Sequence, residues 1–532
     1  MLDLHRLADA IRYEGGLSRR LWLAYTATLA ALPTWASRAA GPVVTRPVLA
    51  NDPFTLGVAS GDPDSTSVVL WTRLAPRPLD PDGGMKPQFV AVTWELAQDE
   101  AFKKILKSGT TLASPALGHS VHVEVKGLKP DSRCFYRFRV GDAVSPVGQT
   151  RTLPAADRTP EKLRFAFASC QHFESGLYTA YEDMAKHDLD LVFHLGDYIY
   201  EGAGRGRGGV RKHVGPKLKT LADYRVRHAQ YRGDAALQAM HAKCPWFVTW
   251  DDHEVENNYA NDISERAGVD PVAFLQMRAN AYQAYYEAMP LRARSIPRGP
   301  DMLLYRKASF GRLAEFFVLD TRQYRTDQPN GDGLKDLNDA ALAPTNTILG
   351  RQQRNWLQAG LLQSTATWNV LAQQVMMAMV NVSVPGVTRS GYIMDQWPGY
   401  AFERMELLRW IAERKIPNPV VLTGDIHSNW VNELRVDDRK QETPVVAVEF
   451  VGTSITSGGN GSANPFYLPL LQRTNPFVKF HNLERGYVRC EVTATTWRSD
   501  YVGVTDVLKP GGKVEIRKSF VVEAGQPGVK LA

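Results

Sequence analysis

The segment LVFHLGDYIYE, residues 191–201, decides the reading of this 532-residue chain. Its first five positions form an apolar run too short for a helix and without alternation, the pattern of a strand buried on both faces. Gly196 and Asp197 then end the run abruptly. The same texture recurs in LRFAFA (163–168), PWFVTW (245–250), PVVLT (419–423) and VVAVEF (445–450), with helical stretches predicted over 178–187 and 276–289. Buried strands alternating with helices predict α/β architecture, and in such sheets ligands gather at the carboxyl ends of the strands.

Those ends carry the chemistry. Ser169-Cys170-Gln171, Gly196-Asp197-Tyr198-Ile199-Tyr200-Glu201, Asp251-Asp252-His253-Glu254 and Gly424-Asp425-Ile426-His427 each follow an apolar run directly. A single Gly-Asp pair reads most simply as a turn. Four polar clusters at successive strand ends point to a shared site. A thiolate, a phenolate, a histidine and several carboxylates form a mixed donor set suited to a pair of divalent or trivalent metal ions. The sequence has no GxSxG elbow, no glycine-rich phosphate loop followed by Lys-Ser/Thr and no HExxH helix. Metal-activated water is therefore the expected nucleophile, rather than a side chain.

The order of Gly-Asp, then His-Glu, then Gly-X-X-His resembles metallophosphoesterases of the calcineurin and purple acid phosphatase superfamily. GDYIYE, WDDHEVENN, GDIHSNW, EFVGTSITSGG and the earlier VASGDPDSTSVVLWTRLAP resemble the bacterial alkaline phosphatase D (PhoD) branch, over about residues 51–492. The resemblance implies an α/β fold: a four-layer αββα metallophosphoesterase sandwich preceded by a small fibronectin/Ig-like β-sandwich. It implies a phosphate-ester hydrolase holding one Fe(III) and one or more Ca2+ ions. Carried over by position, Cys170, Asp197, Tyr200 and His427 hold iron, with Asp197 also bridging, and Asp252 and Asp425 hold calcium. Asp251 stands either on a metal or behind the ligands. His253 lies beside the substrate, to orient phosphate or protonate the leaving alkoxide. Arg278 is either a phosphate clamp or a helix-surface ion-pair partner. Where other superfamily members place a histidine ligand, LAQQVMM has Gln373 and Gln374, and an amide oxygen suits calcium.

Ahead of the catalytic region, residues 51–154 read as short strands: 68–74, 89–96, 121–125 and 135–140, punctuated by Asp-Pro, Asp-Gly-Gly and Lys-Pro-Asp turns. They predict a small β-sandwich. GLKPDSRCFYRFRV resembles the corner of fibronectin-like domains, with Cys134 in a slot normally aromatic. His119 and His122 are expected on the exposed face. Residues 150–162 read as a linker, and 163–532 as the catalytic domain with a C-terminal extension.

At the N-terminus, Ser18-Arg19-Arg20 precedes an apolar stretch from Leu21 to Leu32 and small residues up to Ala40. Residues 1–40 resemble a twin-arginine export signal, which implies the Tat machinery as a partner and a periplasmic or secreted location. An amphipathic N-terminal helix is the alternative. The stretch is far short of the roughly 20 residues a membrane span needs.

Composition bounds the remaining classes. With 44% hydrophobic and 22% charged residues the chain is an ordinary globular one. A formal charge of +7 with dispersed basic residues gives no nucleic-acid footprint, though it suits an anionic substrate. Four widely spaced cysteines form neither a CxxC zinc pattern nor a disulfide framework. Two rival functions remain at this stage: a phosphodiesterase or phospholipase D-like hydrolase with the same chemistry, and a non-catalytic envelope-binding protein.

Overall fold

A computed structural model describes residues 43–49, 51–204, 209–382 and 391–532. The export-like segment lies outside them.

Among the described residues two large sheets face each other. One has the predicted strands Leu163–Ala168, Leu191–Leu195 and Trp246–Thr249 running parallel, with Arg485–Val492 antiparallel on the other side of the first. The other carries Ala314–Val318, Trp368–Ala372, Pro419–Thr423 and Ala447–Val451 in parallel neighbours. Apolar runs without alternation are explained by the layers. Phe165, Phe193, Phe316 and Phe450 pack between the sheets, whereas Ala166, Val192 and Phe317 on the same strands face outer helices. Both faces of each strand are thus withdrawn from water, each large side chain contributing about 1.5–3 kcal/mol. Helices Leu221–Arg232 and Pro271–Ala288 pack outside the first sheet, and Gly350–Gln363 and Ala401–Glu413 outside the second. This is the expected four-layer αββα sandwich.

The N-terminal strands make a sandwich, but it is not detached. Val58–Gly61, Ser67–Arg73 and Ser120–Lys126 continue the first large sheet, because Gly61 pairs with Trp246 of its edge strand. Any Cβ at position 61 would meet Pro290 O at 2.6 Å, so glycine is required for that approach. The six-stranded partner sheet closes over these strands on a core of Val68, Leu70, Val90, Val92 and Phe138.

Two expectations need correction here. His119 is buried, and the His122 ring stacks on Tyr286 at 4.4 Å with Nδ1 3.2 Å from Leu291 O, because helix Pro271–Ala288 and the chain after it cover this face. Gly148–Arg151 is a strand paired with Arg133–Val140, so residues 150 and 151 belong to the sandwich rather than to a linker. All four cysteines are buried and unpaired, with Cys134 inside the sandwich core.

Candidate metal centre

The four polar clusters converge at the carboxyl ends of both sheets. Their glycines are dictated by close approach: a Cβ on Gly196 would lie 2.4 Å from Asp251 Cβ, and one on Gly424 would lie 2.4 Å from Ser169 Oγ. The donor residues turn sharply away from their strands. Cys170, Asp197, Asp425 and His427 all adopt left-handed backbone conformations, with φ of 58°, 56°, 62° and 55°. Such conformations cost non-glycine residues of order 1 kcal/mol or more each and persist where surrounding structure enforces them. Glu254 is part of that enforcement. Its buried carboxylate accepts the N–H groups of Asp197, Tyr198 and Asp251 at 3.1, 2.5 and 2.9 Å, tying two turns together.

The donor atoms form three connected groups, each with its members within 4.8 Å of one another: Cys170, Asp197 and His427; Asp197, Asp252 and His253; Asp251, Asp252 and Asp425. Asp197 joins the first to the second, and Asp252 the second to the third. Tyr200 completes the first group, its hydroxyl 2.8 Å from Asp197 Oδ2 and 3.1 Å from His427 Nε2. Ser457 Oγ donates to the same hydroxyl at 2.6 Å. Glu201 Oε2 lies 2.7 Å from His253 Nδ1. Above these donors opens a cavity of about 310 Å³ lined by Tyr200, Glu201, His253, His427 and Ser457 among others.

The electrostatics fit cations. Asp197 Oδ1, Asp251 Oδ2 and Asp252 Oδ1 are buried and accept no hydrogen bond from the described residues. Orphaned carboxylate oxygens are costly unless a positive charge faces them. Burial, with Asp197 and Asp425 nearby, pushes the Cys170 thiol well above its ordinary range, and burial with Asp197 and Cys170 does the same to Tyr200. Burial raises Asp425 to about 6. Asp252 is held low against burial by Arg322 and His253, and burial is likewise outweighed at His253, which Asp252, Asp197 and Glu201 raise. Crowded anionic donors that suppress one another's ionisation are released when a metal ion replaces their protons.

Three residues singled out in the sequence have other partners. Arg278 is buried, not on a helix surface, and its guanidinium binds Asn261 O at 2.6 Å and approaches Asp301 at 3.4 Å; it does not line the cavity. Of the two readings of Arg278, the ion pair is the contact present in this geometry, with Asp301 as the partner. The amide oxygens of Gln373 and Gln374 are likewise engaged by protein donors. The Gln374 amide oxygen accepts from Thr321 N and Oγ1, and that of Gln373 accepts from Trp397 Nε1 at 3.1 Å.

One charge in the site was missed. Arg322, fully buried, donates to Asp251 and to Asp395 (2.7 Å), and reaches Asp252 and Asp425 at 3.7 and 3.8 Å. A signal existed: AEFFVLDTR is another apolar run ending in polar residues. Gln396 Nε2 further donates to Asp425 Oδ2 at 3.0 Å, and Asn258 N to Asp252 Oδ2 at 2.7 Å.

Comparison with known proteins bears on this arrangement. The family model for PhoD-like phosphatase matches residues 165–501, and that for the PhoD-like phosphatase N-terminal domain matches 39–154. Alkaline phosphatase D of Bacillus subtilis (strain 168) is 53% identical over 489 residues, 91% of this chain and 83% of that relative. Purple acid phosphatase 23 of Arabidopsis thaliana is 29% identical over 178 residues, 31% of this chain and 37% of its own. A solved structure of PhoD superposes with a TM-score of 0.88 at 52% identity, over 91% of this chain and 93% of that one.

Proposed function

The chain belongs to the PhoD-like phosphatase family, and from that premise we propose a mechanism for it in which water attacks the phosphorus of a bound phosphate ester directly. It is a phosphoric ester hydrolase, which sets aside the non-catalytic alternative. The observation that carries the mechanism is the run of three donor groups sharing Asp197 and Asp252 at the base of the cavity.

In this reading Cys170, Asp197, Tyr200 and His427 would hold Fe(III), whose charge suits thiolate and phenolate donors. Asp252 and Asp425 would hold Ca2+, with Asp251 against Arg322. Asp197 would serve both ions, since among the described residues it alone belongs to both the sulfur-containing group and the Asp252 group. When bound, the ions supply a hydroxide-generating, phosphoryl-polarising centre at neutral pH. His253, its Nδ1 fixed by Glu201, directs its other nitrogen to the leaving alkoxide and protonates it. Ser457 orients the Tyr200 oxygen. The division into a front sandwich, residues 51–154, and a catalytic domain from 163 onward also belongs to this proposal.

Hydrolysis of a chiral phosphate ester tests the mechanism. A single direct attack inverts configuration at phosphorus, and retention overturns it. Metal analysis of the same preparation should find iron and calcium; zinc alone would overturn the ion assignment. We propose export by the twin-arginine route, supported by Arg19-Arg20 and the apolar stretch after them; among the described residues no helix is long and apolar enough to cross a membrane.

A further inference from the structure

We propose a second metal site in the wall of the same cavity, formed by His172, Glu174 and His213 and suited to a divalent transition ion of the Zn2+ class. One nitrogen from each histidine and one carboxylate oxygen lie within 4.8 Å of one another. All three side chains are buried, and all three line the cavity. Their chemistry differs from that of the neighbouring centre, having two imidazoles and no sulfur or phenolate.

Each ligand is held from behind. Ser175 Oγ lies 2.9 Å from Nδ1 of His172, and the Tyr231 hydroxyl lies 2.9 Å from Nε2 of His213. With a proton on each hydroxyl-facing nitrogen, the opposite nitrogens are the metal donors. Glu174 is aligned by accepting the His213 backbone N–H at 2.9 Å through Oε1, and its Oε2 lies 3.8 Å from His213 Nδ1. Partners that fix the ring and tautomer of a ligating histidine are the usual support of such sites. Tyr231 is itself anchored, accepting Phe173 N–H at 3.1 Å from a helix that a Thr220–Asp223 capping box begins.

Two imidazoles and one carboxylate are a three-ligand set with which zinc keeps a fourth position for water or another oxygen donor. Here that position belongs to the cavity. The ion would tie the chain at His213 to the turn that follows strand Leu163–Ala168, and would offer a further cation to an anionic group bound beside His253 and His427. The inference does not depend on which ions occupy the neighbouring centre.

The test uses the full chain, loaded with its own metals, incubated with Zn2+ and dialysed. One zinc per chain should be retained beyond the ions already present. Zinc K-edge EXAFS should show two imidazoles and oxygen ligands. His213→Ala and Glu174→Gln, each checked for an unchanged circular dichroism spectrum, should lose that equivalent. A sulfur path near 2.3 Å would place zinc at Cys170 instead and overturn the proposal. So would a shell with fewer than two imidazoles, failure of the wild type to retain zinc, or undiminished zinc in both folded variants. If neither variant folds, the wild-type EXAFS shell decides the matter alone.

Discussion

Oε2 of Glu201 lies 2.7 Å from Nδ1 of His253, and the His253 ring rests on that of Tyr200 with centroids 4.2 Å apart. Glu201 is fixed in turn by accepting Asn257 N–H at 3.2 Å. The pair keeps the imidazole in one orientation with a proton on the Glu201 side. His253→Ala should keep the metals yet lower kcat by ~10² to 10⁴, the range expected of a lost general acid, with the largest losses for poor leaving groups. Glu201→Gln should show the same leaving-group dependence with a smaller loss. Rates across esters of graded leaving-group pKa provide the check; a uniform loss would rule out proton donation.

Asp197 should be the least dispensable ligand. It belongs to two donor groups at once, and its Oδ1 accepts no hydrogen bond among the described residues. Asp197→Ala should remove metal and activity together. Cys170→Ser should be milder, weakening iron binding while the carboxylates remain. Metal content and turnover measured on the same samples separate the two outcomes; iron retained at wild-type level in the Asp197 variant contradicts the bridging role.

Arg322 is the only guanidinium seen to contact Asp251, Asp252 and Asp425 among the described residues. Arg322→Met should destabilise the metal-free protein by roughly 3–5 kcal/mol, the cost of leaving buried charges unpaired. Added calcium should restore part of that loss. Denaturant unfolding with and without calcium measures it, and equal losses under both conditions would remove Arg322 from the charge balance of the site.

Acid sensitivity should arise away from the metals. Burial lowers His194 and His228 to about 3, and lowers His241 well below its usual range. Unfolded histidine titrates near 6.5. Between about 3 and 6.5 the unfolded chain therefore binds more protons than the folded one, so stability is present above this window and is lost as pH falls through it. Each such histidine contributes a slope of about 1.4 kcal/mol per pH unit within the window. His194→Phe, which keeps an aromatic ring beside Tyr198 and Trp246, should reduce the slope of unfolding free energy against pH by about that amount. An unchanged slope between pH 4 and 6 would exclude His194 as a contributor.

Export is tested separately from chemistry. Replacing Arg19 and Arg20 with lysines should retain the protein inside the cell with unchanged activity in lysates, followed by fractionation. Normal export of that variant would exclude the twin-arginine route.

How much of this was legible in the chain differs from residue to residue. The strands ending at Ala168, Leu195, Thr249 and Thr423 were visible because burial on both faces leaves a local mark, an unbroken apolar run. Gly196 and Gly424 were visible as punctuation, since the steric demand that excludes a Cβ is written in the residue itself. The meeting of the candidate donors Cys170, Asp197, Asp251, Asp252, Asp425 and His427 was legible too, because a strand end delivers whatever comes next in sequence. Partners that meet only through packing left no such mark. Arg322 belongs to one sheet and Asp251 to the other, 71 positions apart. Gln374 looked like a ligand until Thr321 took its oxygen, and Arg278 looked exposed until Asn261 and Asp301 closed on it. Local sequence determined the strands and the donor types, through burial periodicity and backbone sterics. The tertiary structure alone decided which charges face each other, because side-chain pairing across sheets depends on the register of layers that no single segment encodes.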